Sequence, residues 1–141
     1  MKRQQTGQAI VEFALVLPIL TMLLLAIIYL SMVFADYLTL SSIARDSARY
    51  AAVAADSTTT GEQIRTKYNQ NNNPSLISSI YTWNQNDAND FNIAVNQSDG
   101  DPDNTYVLVN LRATAANTAV YGNILTLPSE LKVSCKMHQE K

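Results

Sequence analysis

The chain is 141 residues long, which leaves room for one small domain. Its 10 basic and 12 acidic side chains give a net charge of −2, so no overall positive field would attract DNA or RNA. Cys135 is the only cysteine, which excludes an intrachain disulfide and the paired cysteines of zinc or redox motifs. We interpret Cys135 as a small apolar residue of a strand, with palmitoylation or an intermolecular disulfide as the alternatives.

A long apolar run begins near the N-terminus. The 23 residues from Phe13 to Ala35 carry no charge, and about 20 apolar residues are enough for a helix to cross a hydrocarbon layer about 30 Å thick. Lys2 and Arg3 precede this run, and the positive-inside rule places them in the cytoplasm. A removable signal peptide is the alternative, but its apolar core is usually only about 7–15 residues long. The sequence therefore predicts a single-pass protein of the cytoplasmic membrane with residues 36–141 outside the cytoplasm.

Glu12 lies at the edge of the apolar run, where a carboxylate is unfavourable unless it has a partner. Considered alone, it would be a helix N-terminal acid that the helix dipole stabilises by about 0.3–1 kcal/mol. Gly7 lies five positions before Glu12, and Phe13 follows Glu12 directly. Together with the basic leader residues and the long apolar helix, this spacing favours a site of processing and assembly.

The stretch TGQAIVEFAL resembles the processing site of type IV prepilins, and GQAIVEFALVLPIL resembles the TadE-like minor pilins of tight-adherence (Flp) pili. The resemblance implies that a membrane-embedded prepilin peptidase cuts after Gly7, so that residues 1–7 are a leader and Gln8 becomes the mature N-terminus. The new amine of Gln8 would then be a counter-ion for Glu12 of a neighbouring subunit. The implied partners are the peptidase, other pilin or pseudopilin subunits, the assembly machinery and the lipid bilayer.

Helical periodicity continues beyond the predicted transmembrane segment, residues 8–35. Apolar and small residues recur every three or four positions as far as Ala55, whereas Arg45 and Arg49 belong to the solvated face. We predict one helix from about Ala9 to Ala55, about 70 Å long. Its alanine-rich outer half is expected to pack on the chain's own sheet, with neighbouring helices as the alternative.

The remainder predicts a short second helix ending near Tyr68, an ambiguous segment that Trp83 anchors to the core, and then strands. Alternating apolar and polar residues predict three strands, Phe91–Val95, Val107–Ala113 and Leu131–Met137. The expected fold class is α+β: a long N-terminal helix whose outer half packs on a small antiparallel sheet of about three strands. The connection AANTAVYGNILTLPS also resembles the TadE-like pattern.

Catalytic and metal chemistry finds little support in the sequence. Asp99, Asp101 and Asp103 alternate, but the EF-hand pattern fails, so we interpret them as an acidic turn with a weak calcium site as the alternative. His138, the only histidine, is expected in a frayed C-terminal end without partners for a triad or a zinc site. We predict neither an enzyme nor a cofactor.

Two functions remain after these exclusions. The leading hypothesis is a minor pilin or pseudopilin that is cleaved after Gly7 and helps to assemble a tight-adherence pilus. The hypothesis includes both a subunit of the filament and a component that stays in the membrane. The alternative is an uncleaved membrane anchor that displays a small adhesive or sensory binding module. Enzymatic function comes third, because the sequence contains no catalytic constellation.

Overall fold

A single helix dominates the molecule. The computed structural model describes residues 2–54, 61–71, 76–98, 100, 105–116, 119–120 and 125–139. Helix α1 (Lys2–Ala54) has 53 residues, so it is about 80 Å long, and it continues through Pro18. The predicted start at Ala9 was wrong, because the leader contains lysine, arginine and glutamine, which are good helix formers. The predicted end was close, although Ala55 itself lies outside the described residues.

The other described elements lie alongside the outer half of α1. They are helix α2 (Gly61–Asn71) and strands β1 (Tyr81–Thr82), β2 (Phe91–Ser98), β3 (Thr105–Ala115), β4 (Ala119–Val120), β5 (Leu125–Thr126) and β6 (Glu130–His138). The predicted short second helix is therefore present. The ambiguous segment before Trp83 contains bends and the two-residue strand β1, without a helix in its described part.

The main sheet is antiparallel and is built around β3. Strand β6 pairs along one edge of β3, while β2 and the short β1 follow each other along the opposite edge. The three predicted strands are confirmed, β1 makes the sheet four-stranded, and β4 pairs with β5 as a separate hairpin. The predicted α+β class is thus confirmed.

The core lies between the sheet and the outer half of α1. The residues of α1 that it buries are mostly apolar or small: Val33, Leu40, Ile43, Ala44, Ser47, Ala48, Ala51 and Ala52. On the sheet, every second residue of β3 from Val107 to Ala113 is buried, as strand alternation requires. Alanine allows the backbone of α1 to approach the sheet closely, so the interpretation that this face packs within the chain is confirmed.

Helix α2 covers part of the outer edge of β2. The Arg65 guanidinium donates from Nη1 to the carbonyl of Phe91 at 3.1 Å, which satisfies a backbone acceptor of an edge strand. At the start of α2, a Cβ added to Gly61 would lie 2.6 Å from the carbonyl oxygen of Ile93. The close approach between α2 and β2 therefore requires a glycine at this position.

Three further sequence predictions can be compared with the sheet. Trp83 packs against the core with its ring 5.7 Å from that of Phe91, which confirms its predicted anchoring role, and Cys135 is a partly buried residue of β6, which confirms its predicted position in a strand. His138 is not in a frayed end, because the ladder extends to its pairing with Tyr106. The aspartates at 99, 101 and 103 lie outside the described residues.

Candidate processing and assembly site

The predicted site occupies consecutive turns near the start of α1. Gly7, Gln8, Glu12 and Phe13 are all helical and exposed, Phe13 to 65%. The structure brings two of them together, because the Gln8 amide donates from Nε2 to Glu12 Oε1 at 3.3 Å across one helical turn. The site is therefore a surface of one helix and lies away from the domain core.

Gly7 has no packing role in the described part of the chain. A Cβ built on it would meet nothing within 4 Å. A glycine inside a helix costs about 1 kcal/mol relative to alanine, so the fold itself gains nothing from glycine here. A requirement for glycine at this position would have to come from another molecule.

Glu12 has a neutral partner in this chain. Its hydrogen bond is to the Gln8 amide, and no described cation lies within 4.0 Å of its carboxylate. Lys2 and Arg3 belong to the first turn of α1, but their side chains lie outside the described residues. A carboxylate that enters an apolar environment needs a counter-charge or hydrogen-bond donors, and one neutral amide satisfies this need only in part.

The inner half of α1 exposes apolar side chains on every side. Within the described residues, α1 is long and apolar enough to cross a membrane. Its most apolar stretch has a mean hydropathy of 2.7, and none of that stretch is buried inside the molecule. Thr21 and Ser31 donate from their hydroxyls to Leu17 and Ile27 carbonyls one turn earlier, each at 2.8 Å, which satisfies polar groups that lipid cannot. This helix indicates membrane anchoring.

A buried polar cluster was missed by the sequence analysis. Asp36 is completely buried and accepts hydrogen bonds from the Ser78 amide at 2.8 Å and from the Ser78 hydroxyl. Beside it, the Tyr81 hydroxyl donates to the Pro128 carbonyl at 2.8 Å. Burial raises the pKa of the Tyr81 phenol, and the Asp36 carboxylate raises it further. The cluster joins α1 to two loops at the end of the domain nearest the apolar run.

A sequence signal for this cluster existed. Asp36 is spaced by three from Val33 and by four from Leu40, so it lies on the same helical stripe as the core residues. In the sequence, Asp36 is also the first charged residue after the apolar run. A charged residue in register with a buried stripe indicates a buried, hydrogen-bonded group.

The far side of the sheet carries paired charges. Glu130 accepts from Lys132 at 2.6 Å, and its other oxygen lies 3.7 Å from Arg112, which also contacts Asp90 at 3.3 Å. Lys132, and to a smaller extent Arg112, holds the pKa of Glu130 below its usual range.

Among the described residues, no group of three or more His, Cys, Asp or Glu side chains could hold a metal ion.

The predicted site lies within a segment that matches a known protein family. A family model described as TadE-like protein matches residues 7–49. The match confirms the resemblance predicted from GQAIVEFALVLPIL, and it indicates a component associated with the Tad pilus. It covers less than half of the chain, and the second resembling stretch, before β6, lies outside it. No curated protein and no solved structure matches the chain.

The TadE-like match and the fold divide the chain differently. The match ends at Arg49, so it includes nearly all of α1 but none of the sheet. The buried face of α1 from Val33 to Ala48 therefore belongs to the TadE-like segment, whereas Ala51, Ala52 and the strands that this face packs on do not. The site residues Gly7, Gln8, Glu12 and Phe13 all lie within the matched range.

Proposed function

We propose that this chain is a minor pilin or pseudopilin of a tight-adherence pilus. Residues 1–7 are its cytoplasmic leader, residues 8–35 cross the cytoplasmic membrane, and residues 36–141 form an extracytoplasmic domain. The observation that carries the proposal is the position of Gly7, Glu12 and Phe13 on an exposed helix that leads directly into the apolar run, within the TadE-like segment.

Cleavage after Gly7 changes the chemistry around Glu12. The α-amino group left on Gln8 is cationic near neutral pH, since an N-terminal amine has a pKa of about 7.7–8.0. Among the described side chains Glu12 has a neutral partner, the Gln8 amide, so the amine of a neighbouring subunit supplies the counter-charge when helices associate. This contact sets the axial register between subunits, and the apolar surface around it packs in the same interface.

The processing step is tested by Gly7→Leu. Because a Cβ built at Gly7 would meet nothing within 4 Å and the site lies away from the domain core, the substitution should leave the fold of the domain intact, and its effect reports recognition by the peptidase. We expect wild-type membrane protein to begin at Gln8 and Gly7→Leu protein to retain Met1, as measured by intact mass and N-terminal sequencing. Gln5→Leu is the control for added apolar bulk in the leader and should still be cleaved.

Two results would contradict this. Normal maturation of Gly7→Leu would remove Gly7 from the site. An intact leader in the wild-type protein from cells with an active prepilin peptidase would favour the uncleaved anchor that displays a binding module.

The assembly step is tested by Glu12→Ala and Glu12→Gln. Both variants should be inserted and cleaved normally, because loss of a charge makes the segment more lipophilic. Pilus formation should fail in Glu12→Ala, since removal of one partner of a buried ion pair typically costs about 3–5 kcal/mol. Glu12→Gln distinguishes geometry from charge: an intermediate defect indicates geometry, and a defect equal to that of alanine indicates charge.

The charge-matched control is Asp46→Ala, which removes an exposed acid from the outer half of α1. It should assemble normally. Pili at wild-type level in both Glu12 variants would mean that Glu12 is only a helix N-terminal acid.

The orientation is tested separately. A reporter that is active only in the cytoplasm, fused after Lys141, should be silent in the full-length protein because Lys2 and Arg3 remain inside. Activity of that fusion would reverse the topology.

A further inference from the structure

An apolar groove lies where the domain meets the helix. Its walls include Ile27, Leu30, Phe34 and Tyr37 on α1 and Leu131 at the start of β6, and the described residues that line it carry no charge. Its volume is about 490 Å³. That is within the range of about 300–1,000 Å³ typical of sites that hold small organic molecules.

The position of the groove along α1 places it at the outer edge of the lipid. At 1.5 Å per residue, Ile27 is about 21 Å from Phe13 along the axis and Phe34 is about 32 Å from it. A hydrocarbon layer about 30 Å thick that begins near Phe13 therefore ends within the groove. Leu131, which belongs to the sheet, is held at the same level.

A second apolar group lies at this end of the domain. Ile77 is 72% exposed, although it precedes Ser78, whose amide is bound to the buried Asp36 carboxylate. Asp36 is the first charged residue after the apolar run, about 35 Å from Phe13 along the axis. The Asp36–Ser78 contact therefore holds Ile77 near the level of Asp36, at the end of the domain nearest the apolar run.

We infer that this end of the domain, defined by the groove and Ile77, is a second lipid contact: acyl chains of the adjacent leaflet fill the groove, and Ile77 inserts among the headgroups. The occupant is lipid because the groove is continuous with the apolar surface of α1 that the hydrocarbon already surrounds. The inference requires that α1 spans a membrane. It does not depend on cleavage after Gly7, so it can fail while the proposed function holds, and the reverse is also true.

The test uses the full chain in nanodiscs with one copy per disc. In a Cys135→Ala background, which removes the native thiol, a nitroxide is attached at Ile77→Cys and, as the control, at Ser134→Cys. Ser134 is exposed on the far face of β6, about 10 Å further along the strand than Leu131. The measured quantity is the ratio of the nitroxide's collision rate with oxygen to its collision rate with a water-soluble nickel chelate. We expect this ratio to be several-fold higher at position 77 than at position 134. Equal ratios at the two positions would overturn the lipid contact.

A second measurement identifies the occupant of the groove. A nitroxide at Phe34→Cys, in the groove wall, should be accessible to oxygen in discs with one copy and equally accessible in discs with two. If that accessibility falls sharply with the second copy, the groove binds another subunit, and the inference is wrong.

Discussion

The two halves of α1 are made of one continuous helix but are stabilised in different ways. The inner half, up to about Tyr29, exposes apolar side chains such as Leu24 and Leu15 to 52% and 68%. The outer half buries Leu40, Ala44 and Ala48 completely against the sheet. The outer half is therefore held by its own chain, whereas the apolar surface of the inner half needs lipid or other subunits to cover it.

The cause lies in where the apolar residues are placed. In the inner half they occupy every side of the helix, which suits a surrounding of lipid. In the outer half they form one stripe of small and apolar residues, with Arg45, Asp46 and Arg49 exposed on the other side. One continuous helix thus has an inner half suited to lipid and an outer half suited to packing on the sheet, and Asp36 lies where the two parts meet.

The largest expected effect separates the halves directly. Leu40→Ala should lower the free energy of unfolding of the domain by about 2–5 kcal/mol, because it empties a fully buried site in the core. Leu24→Ala makes the same chemical change in the inner half and should leave that free energy unchanged. Denaturant unfolding in detergent micelles, followed by the fluorescence of Trp83, measures both. Equal losses would mean that the two halves form one cooperative unit.

A pair of glycines gives the next largest contrast. Gly61→Ala should destabilise the domain by about 1–3 kcal/mol, since its Cβ would lie 2.6 Å from the Ile93 carbonyl oxygen and α2 would have to move away from β2. Gly7→Ala meets nothing and should leave the unfolding of the domain unchanged. Faster hydrogen exchange of the backbone amides of α2 in Gly61→Ala would show that the substitution weakens the packing of this helix on β2.

Tyr81 tests the boundary between the halves. Tyr81→Phe should cost about 1 kcal/mol, because the Pro128 carbonyl loses its hydrogen-bond donor. The raised pKa of Tyr81 means that its contribution is fully present below the unfolded pKa of about 10 and is lost as the pH rises through the folded pKa. Wild-type stability should therefore fall more steeply than that of Tyr81→Phe at alkaline pH. Parallel alkaline limbs in the two proteins would contradict this.

The smallest effect is expected at the outer face of the sheet. The lowered pKa of Glu130 gives a contribution that is present above the unfolded pKa of about 4.3 and is lost as the pH falls through the folded pKa. Glu130→Gln should therefore flatten the acid limb of the stability profile and change little at neutral pH. Lys132→Met should flatten it to a smaller extent, because Arg112 still lowers the pKa of Glu130, and the double variant should match Glu130→Gln.

Much of the fold could be predicted because its signals are strong and local. Val107, Val109, Leu111 and Ala113 alternate with residues of the other face, and this pattern located the central strand and its buried side before any contact was known. The stripe through Leu40 likewise identified the buried face of α1. Both signals follow from the periods of strand and helix, which sequence alone records.

The rest depended on contacts between distant parts of the chain. Strands β1, β4 and β5 are two residues long, too short for any period to be visible. The burial of Asp36 requires Ser78, 42 residues away, to supply its donors. The predicted start of α1 at about Ala9 was wrong, because a single glycine at position 7 costs a helix only about 1 kcal/mol and the residues before it are mostly good helix formers.

Helix α1 continues without interruption past Asp36, so it sets a fixed distance between the apolar run and the far end of the domain. A domain on a flexible tether can stand at any height above the bilayer, but here 18 residues of rigid helix separate Asp36 from Ala54. They fix the far end of the domain about 27 Å above the level at which the first charge emerges. A partner that binds the described far end of the domain must therefore reach that height.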